Sequence, residues 1–150
     1  MTALAERTIL GLALACLLTA CASHAGQQTE TIDLILQAAE RPTGVAGQVT
    51  FTVLGSGEGR GVESGRWFLN SEPDYRDFRS LNVIVMPSVV NALQEAHGID
   101  SAEEMVGRTV RVQGVAQRRR INFTCRGART NGYYFQTHLP VARLQQIEIL

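Results

Sequence analysis

Polar and apolar residues alternate most cleanly at residues 48–54, where Val49, Phe51 and Val53 stand against Gln48, Thr50 and Thr52. A two-residue period of this kind predicts a β-strand with one buried face. Two further β-favouring runs, residues 67–70 and 81–86, flank Ser71, Glu72, Pro73 and Asp74, which turn a chain and cannot fill a core. Beyond Pro87, the apolar positions Val89, Val90, Leu93 and Ala96 fall on one face of a helix that Gly98 closes. Residues 109–116 alternate again through Val110 and Val112 to a glycine kink at Gly114. Ile32, Leu34, Ile35, Leu36, Ala38 and Ala39 predict an earlier helix over residues 29–40, stopped by Pro42 and Gly44. Ser101 and Glu104 have the spacing of a capping box and predict a short helical turn before Gly107.

Near the C-terminus, residues 121–125 and 133–138 form a hairpin pattern whose turn signal is Asn131-Gly132, and Ile147 and Ile149 predict a closing strand. Together these elements predict a mainly β domain. Val49, Phe51, Val53, Phe68, Val83, Val85, Val110, Val112 and Ile147 are expected to point into its core, with Leu93 covering the open end.

The glycine-rich residues 55–65 invite a phosphate-loop reading. No helix pattern follows them and no Gly-Lys-Ser/Thr is present, so a connection between two strands is the expectation.

The N-terminus has a different character. Residues 8–19 are an apolar run after Arg7, too short for a ~20-residue membrane span and of secretory-signal length. It ends in Leu18-Thr19-Ala20-Cys21, which resembles the bacterial lipobox. That resemblance implies cleavage before Cys21, lipidation (palmitate among the acyl chains) of its sulfur, and anchorage to a membrane. Ala22 in place of an aspartate points to the periplasmic side of the outer membrane rather than the inner. The expected organisation is a signal peptide at 1–20, a lipidated tether at 21–29, a helix and linker at 30–46, and a domain at 47–150. The mature domain then retains Cys125 alone, whose strand-like surroundings predict burial. His24, His97 and His138 have no metal-ligand spacing with it, and neither a metal nor a cofactor is expected.

Charge is balanced overall but divided along the chain: residues 21–106 hold five Arg against twelve Asp and Glu, and residues 107–150 hold eight Arg against one Glu. Every basic residue is Arg, the better fork for phosphate. An anionic partner is therefore sought in the last third.

Five strands, with a helix between the third and fourth, describe the OB-fold, a Greek-key barrel. Trp67-Phe68-Leu69-Asn70, Asp74-Tyr75-Arg76-Asp77-Phe78, Leu81 to Val85, Gly107-Arg108-Thr109-Val110-Arg111-Val112-Gln113-Gly114 and Gln146-Ile147-Glu148-Ile149 resemble signature positions of bacterial single-domain OB-fold proteins of the nucleic-acid-binding type. The resemblance implies a binding face flanked by residues 55–65 and 117–134. Arg118, Arg119, Arg120, Arg126 and Arg129 there accompany Phe123, Tyr133 and Tyr134, the mixture of guanidinium and aromatic groups that single-stranded nucleic acid uses. A solvated hairpin whose aromatics pack the barrel end is the competing reading. Periplasmic exposure favours lipid phosphate or another anionic envelope polymer over nucleic acid, and an envelope protein is a further candidate partner. Glu72, Asp74 and Asp77 lie among Arg76 and Arg79, which predicts charge compensation rather than acid-base chemistry, and His138 has no nucleophile beside it. The expected function is a non-enzymatic, membrane-anchored binding module, with a protein-interaction or envelope-assembly role as the alternative.

Overall fold

The computed structural model describes residues 29–150. The expected signal peptide, the tether up to Gln28 and the lipidation site Cys21 lie outside the described residues.

Over the described residues the chain is mainly β, a curled sheet with two α-helices. Helix α1 (Thr31–Glu40) leads into β1 (Val45–Thr52), β2 (Gly55–Glu58), β3 (Trp67–Asn70) and β4 (Leu81–Val85). Helix α2 (Pro87–His97) separates these from β5 (Thr109–Cys125), β6 (Ala128–Val141) and β7 (Ile147–Ile149). Pro87 opens α2 at a position where a missing N–H costs nothing, and Gly98 closes it in the left-handed conformation at φ 63°. The strand count is seven, not five, in the order β1-β5-β6-β4-β3-β2 with β7 paired to β5. The glycine-rich segment, expected as a connection, supplies a strand of its own, since β2 pairs with β3, while β7 is the closing strand expected at Ile147 and Ile149 and forms a short edge on β5.

The ends of this strand order meet in the sequence. Val53 and Leu54 join β1 to β2, with Val53 N–H donating to the Arg108 carbonyl and Leu54 N–H to the Asn70 carbonyl, both at 2.9 Å. One short segment is thus hydrogen-bonded to both flanks, and the sheet curls into an OB-like form. Inside the curl, Val49, Val53, Leu69, Leu81, Val83, Val85, Val110, Val112 and Leu139 have no exposed surface. Leu34, Ile35 and Ala38 of α1 and Val89, Val90 and Leu93 of α2 join the same core.

Two expected core residues are placed otherwise. Phe51 is only partly buried against the core. Phe68 lies on the outer face, because in β3 it is Trp67 and Leu69 that point inward. Cys125 is exposed rather than buried: it ends β5 at the hairpin tip, away from the core.

The hairpin turn is also displaced from its expected position. It lies at Arg126-Gly127, both at positive φ (50° and 81°), the signature of a two-residue type I′ connection. Asn131-Gly132 instead forms a bulge in β6, where the register passes from Asn122↔Tyr133 to Thr124↔Arg129. Thr130 Oγ1 donates to the Phe123 carbonyl at 3.1 Å and accepts from Gly132 N–H at 3.3 Å, which locks the bulge.

The side-chain parity of β3 gives a direct test. Leu69→Ala should lower stability by about 2–5 kcal/mol, the range for truncating a buried leucine, whereas Phe68→Ala should cost distinctly less in urea unfolding. Equal losses would place both residues in the core.

Candidate ligand-binding faces

Strands β5 and β6 continue past the core as a twisted ribbon. Arg118 pairs with Thr137, Arg120 with Phe135 and Asn122 with Tyr133, so these six residues share one face. Arg119 pairs with Gln136 and Ile121 with Tyr134 on the other. The expected site residues are therefore divided between two faces rather than gathered on one.

On the first face, the Arg118 guanidinium lies 3.9 Å from the centre of the Phe135 ring, and Arg120 lies 4.1 Å from that of Tyr133. Tyr133 and Phe135 meet edge to face at 5.5 Å. Stacking of this sort holds the guanidinium plane while leaving its N–H edges free. Among the described residues, no carboxylate forms an ion pair with Arg118, Arg119, Arg120, Arg126 or Arg129, whereas Arg66, Arg76, Arg79 and Arg111 each have one. Arg126 and Arg129 stand exposed around the hairpin tip.

The second face forms one wall of a cavity of about 400 Å³. Phe68, Tyr75, Ile121 and Tyr134 line it with apolar surface, and Asn70, Asn82, Gln136 and His138 add polar groups. Asn70, Asn82 and His138 lie side by side across β3, β4 and β6 in paired register. Phe123 stacks on Tyr134 at 5.2 Å and so extends the aromatic wall. The segment between β3 and β4 covers one side. Its shape comes from its own acids: Asp74 Oδ1 accepts from Arg76 N–H and Asp77 Oδ1 from Arg79 N–H, each at 2.9 Å. Arg79 also reaches Asp77 Oδ2 at 2.8 Å, and these hydrogen bonds hold the Asp77 carboxyl down at about 2. Gln136 Nε2 donates to the Tyr75 carbonyl at 3.4 Å and joins that segment to β6. Gly55 makes room for it, because a Cβ there would come within 3.0 Å of the Glu72 and Pro73 carbonyls.

His138 is set deep in this arrangement. Its Nε2 lies 2.6 Å from Gln136 Oε1, whose amide nitrogen is already donating to Tyr75 and to the Tyr134 hydroxyl. The imidazole is therefore the donor at Nε2. Burial, and next the charge of Arg119, push its pKa from 6.5 to about 4, so the ring is neutral at ordinary pH. Burial likewise raises the Tyr134 phenol above its usual range.

Sequence reading found Tyr134 but missed Phe68, Asn70, Tyr75, Asn82 and Gln136. Phe68 was hidden by the parity of an all-apolar run. Asn70, Asn82 and His138 carry a signal, being polar residues at strand positions that face away from the core.

No protein-family model and no curated protein matches the chain. Among solved structures it is similar to a chain assigned as an aspartyl-tRNA synthetase from Leishmania major Friedlin, at 12% identity and a TM-score of 0.40. The match covers 88% of this chain and 22% of that one, so this chain spans about a fifth of the other's length. A likeness that loose has no bearing on function.

Neutral His138 links folding to pH. The unfolded ring binds its proton near 6.5 and the folded one only near 4, so stability is full above pH 6.5 and falls as pH drops toward 4. The loss is at most on the order of 3 kcal/mol, from about 1.4 kcal/mol per pKa unit. His138→Gln should flatten this part of a pH-dependent denaturation profile; an unchanged profile would assign the dependence to other groups.

Proposed function

We propose that this protein is a non-enzymatic OB-fold binding module that meets a phosphate-bearing polyanion on its basic hairpin while a lipidated Cys21 holds it to a membrane of the cell envelope. In this reading β1 and β2 are two halves of one bent strand. With β7 set aside, the hydrogen-bonded order becomes that of a five-stranded Greek-key barrel with α2 between its third and fourth strands.

The observation that carries the ligand class is the stacking of two arginines on aromatic rings. Arg118 and Arg120 lie on Phe135 and Tyr133 with no acid in contact, whereas Arg66, Arg76, Arg79 and Arg111 each pair with a carboxylate. Fixed guanidinium groups lose less freedom when they take a phosphate. Single-stranded nucleic acid and lipid headgroups both present that group, and on an anionic membrane surface each arginine contributes about 1 kcal/mol. The lipobox-like Leu18-Thr19-Ala20-Cys21 supports the second source, since the short tether would keep the hairpin near such a surface.

Replacing Arg118 and Arg120 together by Gln should weaken binding to single-stranded oligonucleotides or anionic vesicles, and reduce the salt slope by about 1.4 for the single strand, at ~0.7 per phosphate contact. The two exposed cation–π contacts contribute about 0.5–1 kcal/mol each, so the melting temperature should move little. Tyr133→Ala should cost a further ~1–3 kcal/mol of affinity if bases stack there and little if a headgroup layer is met by charge. If the double variant binds both anions as the parent does, the hairpin is a solvated surface and a protein partner becomes the better reading.

Anchorage has its own test. Cys21→Ser should abolish fatty-acid labelling and release the protein from the membrane fraction. Labelling that persists in this variant would refute a lipidated Cys21.

A further inference from the structure

Helix α1 is apolar over more of its circumference than the core uses. At ~100° per residue, Leu34, Ile35 and Ala38 fall on one side and are buried in the core. Asp33, Gln37 and Glu40 form a separate polar row. Ile32, Leu36 and Ala39 form a third row, and all three are exposed, Leu36 at 55%. A helix that buries one stripe ordinarily presents polar residues elsewhere. The third row is apolar and uncovered within the described chain.

That row adjoins the arginine face. Leu36 and Ala39 line a groove of about 190 Å³ together with Phe78 of the β3–β4 segment and with Arg118, Phe135 and Thr137 of the ribbon. Phe78 is 75% exposed. The edge-to-face contact of Phe135 with Tyr133 carries the surface outward, so a helix, a loop and a hairpin contribute to one apolar strip. Single exposed apolar residues are ordinary, whereas a continuous strip marks an interaction site. Arg118 and Arg120, flat on Phe135 and Tyr133, supply its charge. The lining of the groove holds no carboxylate, and Asp77, next to Phe78 in the chain, is paired with Arg79.

These properties separate the occupants. The groove is smaller than small-molecule sites, which run ~300–1,000 Å³. In a two-fold contact with a second copy the strip would meet itself, setting Arg118 and Arg120 against the same residues of the other copy with no acid in the lining to compensate. An anionic bilayer meets both chemistries: its phosphates take the guanidinium groups while apolar side chains enter the layer beneath. Position along the chain agrees. Residues 22–28 separate Cys21 from the described chain and span at most ~25 Å at ~3.5 Å per residue. With Cys21 lipidated as proposed, α1 is the first element after the anchor.

We infer that the strip formed by α1, Phe78 and the first face of the hairpin docks on an anionic phospholipid bilayer, with Ile32, Leu36, Phe78 and Phe135 entering the apolar layer and Arg118 and Arg120 on the phosphates. The inference rests on the polyanion reading for its charge and on the lipidated Cys21 for nearness. Penetration by the apolar residues is a separate claim, and it gives α1 a role that charge alone does not.

The sample is the full chain reconstituted into vesicles, and the reporter is Phe78→Trp; Trp67, 4% exposed, gives a background measured in the parent. In vesicles of phosphatidylcholine and phosphatidylglycerol with brominated acyl chains, the emission that Phe78→Trp adds should shift to the blue and be quenched. Leu36→Asp in the same protein should return that emission to the value of a water-exposed ring, with Leu36→Gln taking its place if the first variant fails to fold. Phosphatidylcholine alone, or Arg118→Gln with Arg120→Gln in the mixed vesicles, should reduce the quenching. An unquenched reporter in the mixed vesicles overturns the inference and leaves the groove to another protein. Quenching that survives both substitutions of Leu36 also overturns it, as does a blue shift already present in detergent that grows with protein concentration, which assigns the strip to a second copy. None of these results touches the arginine reading, which oligonucleotide binding decides separately. Equal quenching in the double Gln variant would strike the arginines from this surface, and the polyanion reading with them, while supporting the apolar docking.

Discussion

Strands β5 and β6 pair with each other only where they leave the core, from Gln117↔His138 to the hairpin tip, and the candidate sites depend on that extension. Val110 to Ala116 of β5 pair with β1 and β7, and Leu139 to Val141 of β6 pair with β4; their inward side chains are buried, and the hydrophobic effect anchors the base of both strands. Beyond Ala116 the two strands form their own ladder, and the faces it carries are freed from filling a core. Cross-strand geometry then sorts residues strictly by parity, so that Arg118 and Arg120 go to one face with Tyr133 and Phe135, and Arg119 and Ile121 go to the other with Tyr134 and Gln136. A one-residue slip would exchange the two sets. The bulge at Asn131-Gly132 adjusts the register only toward the tip, leaving the pairing that builds both faces intact.

Much of the fold was legible because its strongest signals are local. The alternation of Val49, Phe51 and Val53 marks β1, the alternation of Val110 and Val112 marks the start of β5, and Pro87 and Gly98 mark the ends of α2. What could not be read depended on partners. Trp67-Phe68-Leu69 is apolar at every position, so its sequence does not specify which parity faces inward; pairing with Val83 and Val85 decides it. Gly55-Ser56-Gly57-Glu58 has almost no strand propensity and becomes β2 only because β3 offers it a hydrogen-bonding edge. Asn131-Gly132 has the chemistry of a turn, and both a turn and a bulge use that chemistry; where the turn falls was settled by the register of strands on either side. Cys125 was expected to be buried because its neighbours look strand-like, but a strand that outruns its core has no inside.

The candidate site was legible to a similar degree. Arginines and aromatics drew attention to residues 118–134, and the charge division along the chain pointed there as well. Composition does not carry parity, so the residues expected to act as one surface are two half-sets facing opposite ways. The cavity was invisible for a different reason: its walls come from β2, β3, β4, the segment carrying Tyr75, and the hairpin, so it exists only once the sheet has curled.

The separation of the two faces has an energetic logic. A guanidinium placed inside a small, largely apolar cavity would be desolvated and would require a buried counter-charge, whereas on an exposed face it keeps its water until a phosphate arrives. Conversely, Asn70, Asn82, Gln136 and His138 would each be a weak partner in open water, where exchange with solvent cancels most of a hydrogen bond. Under the Tyr75 segment the same bonds are shielded, and an unmet acceptor such as Asn70 Oδ1 becomes costly. In the proposed reading the arginine face supplies long-range, salt-sensitive attraction, while the face behind it carries the shielded hydrogen bonds. Because the strands that carry them are shared, a ligand bound on either face would restrain the same hydrogen-bonded ladder between Gln117 and Asn122, and through it the face behind.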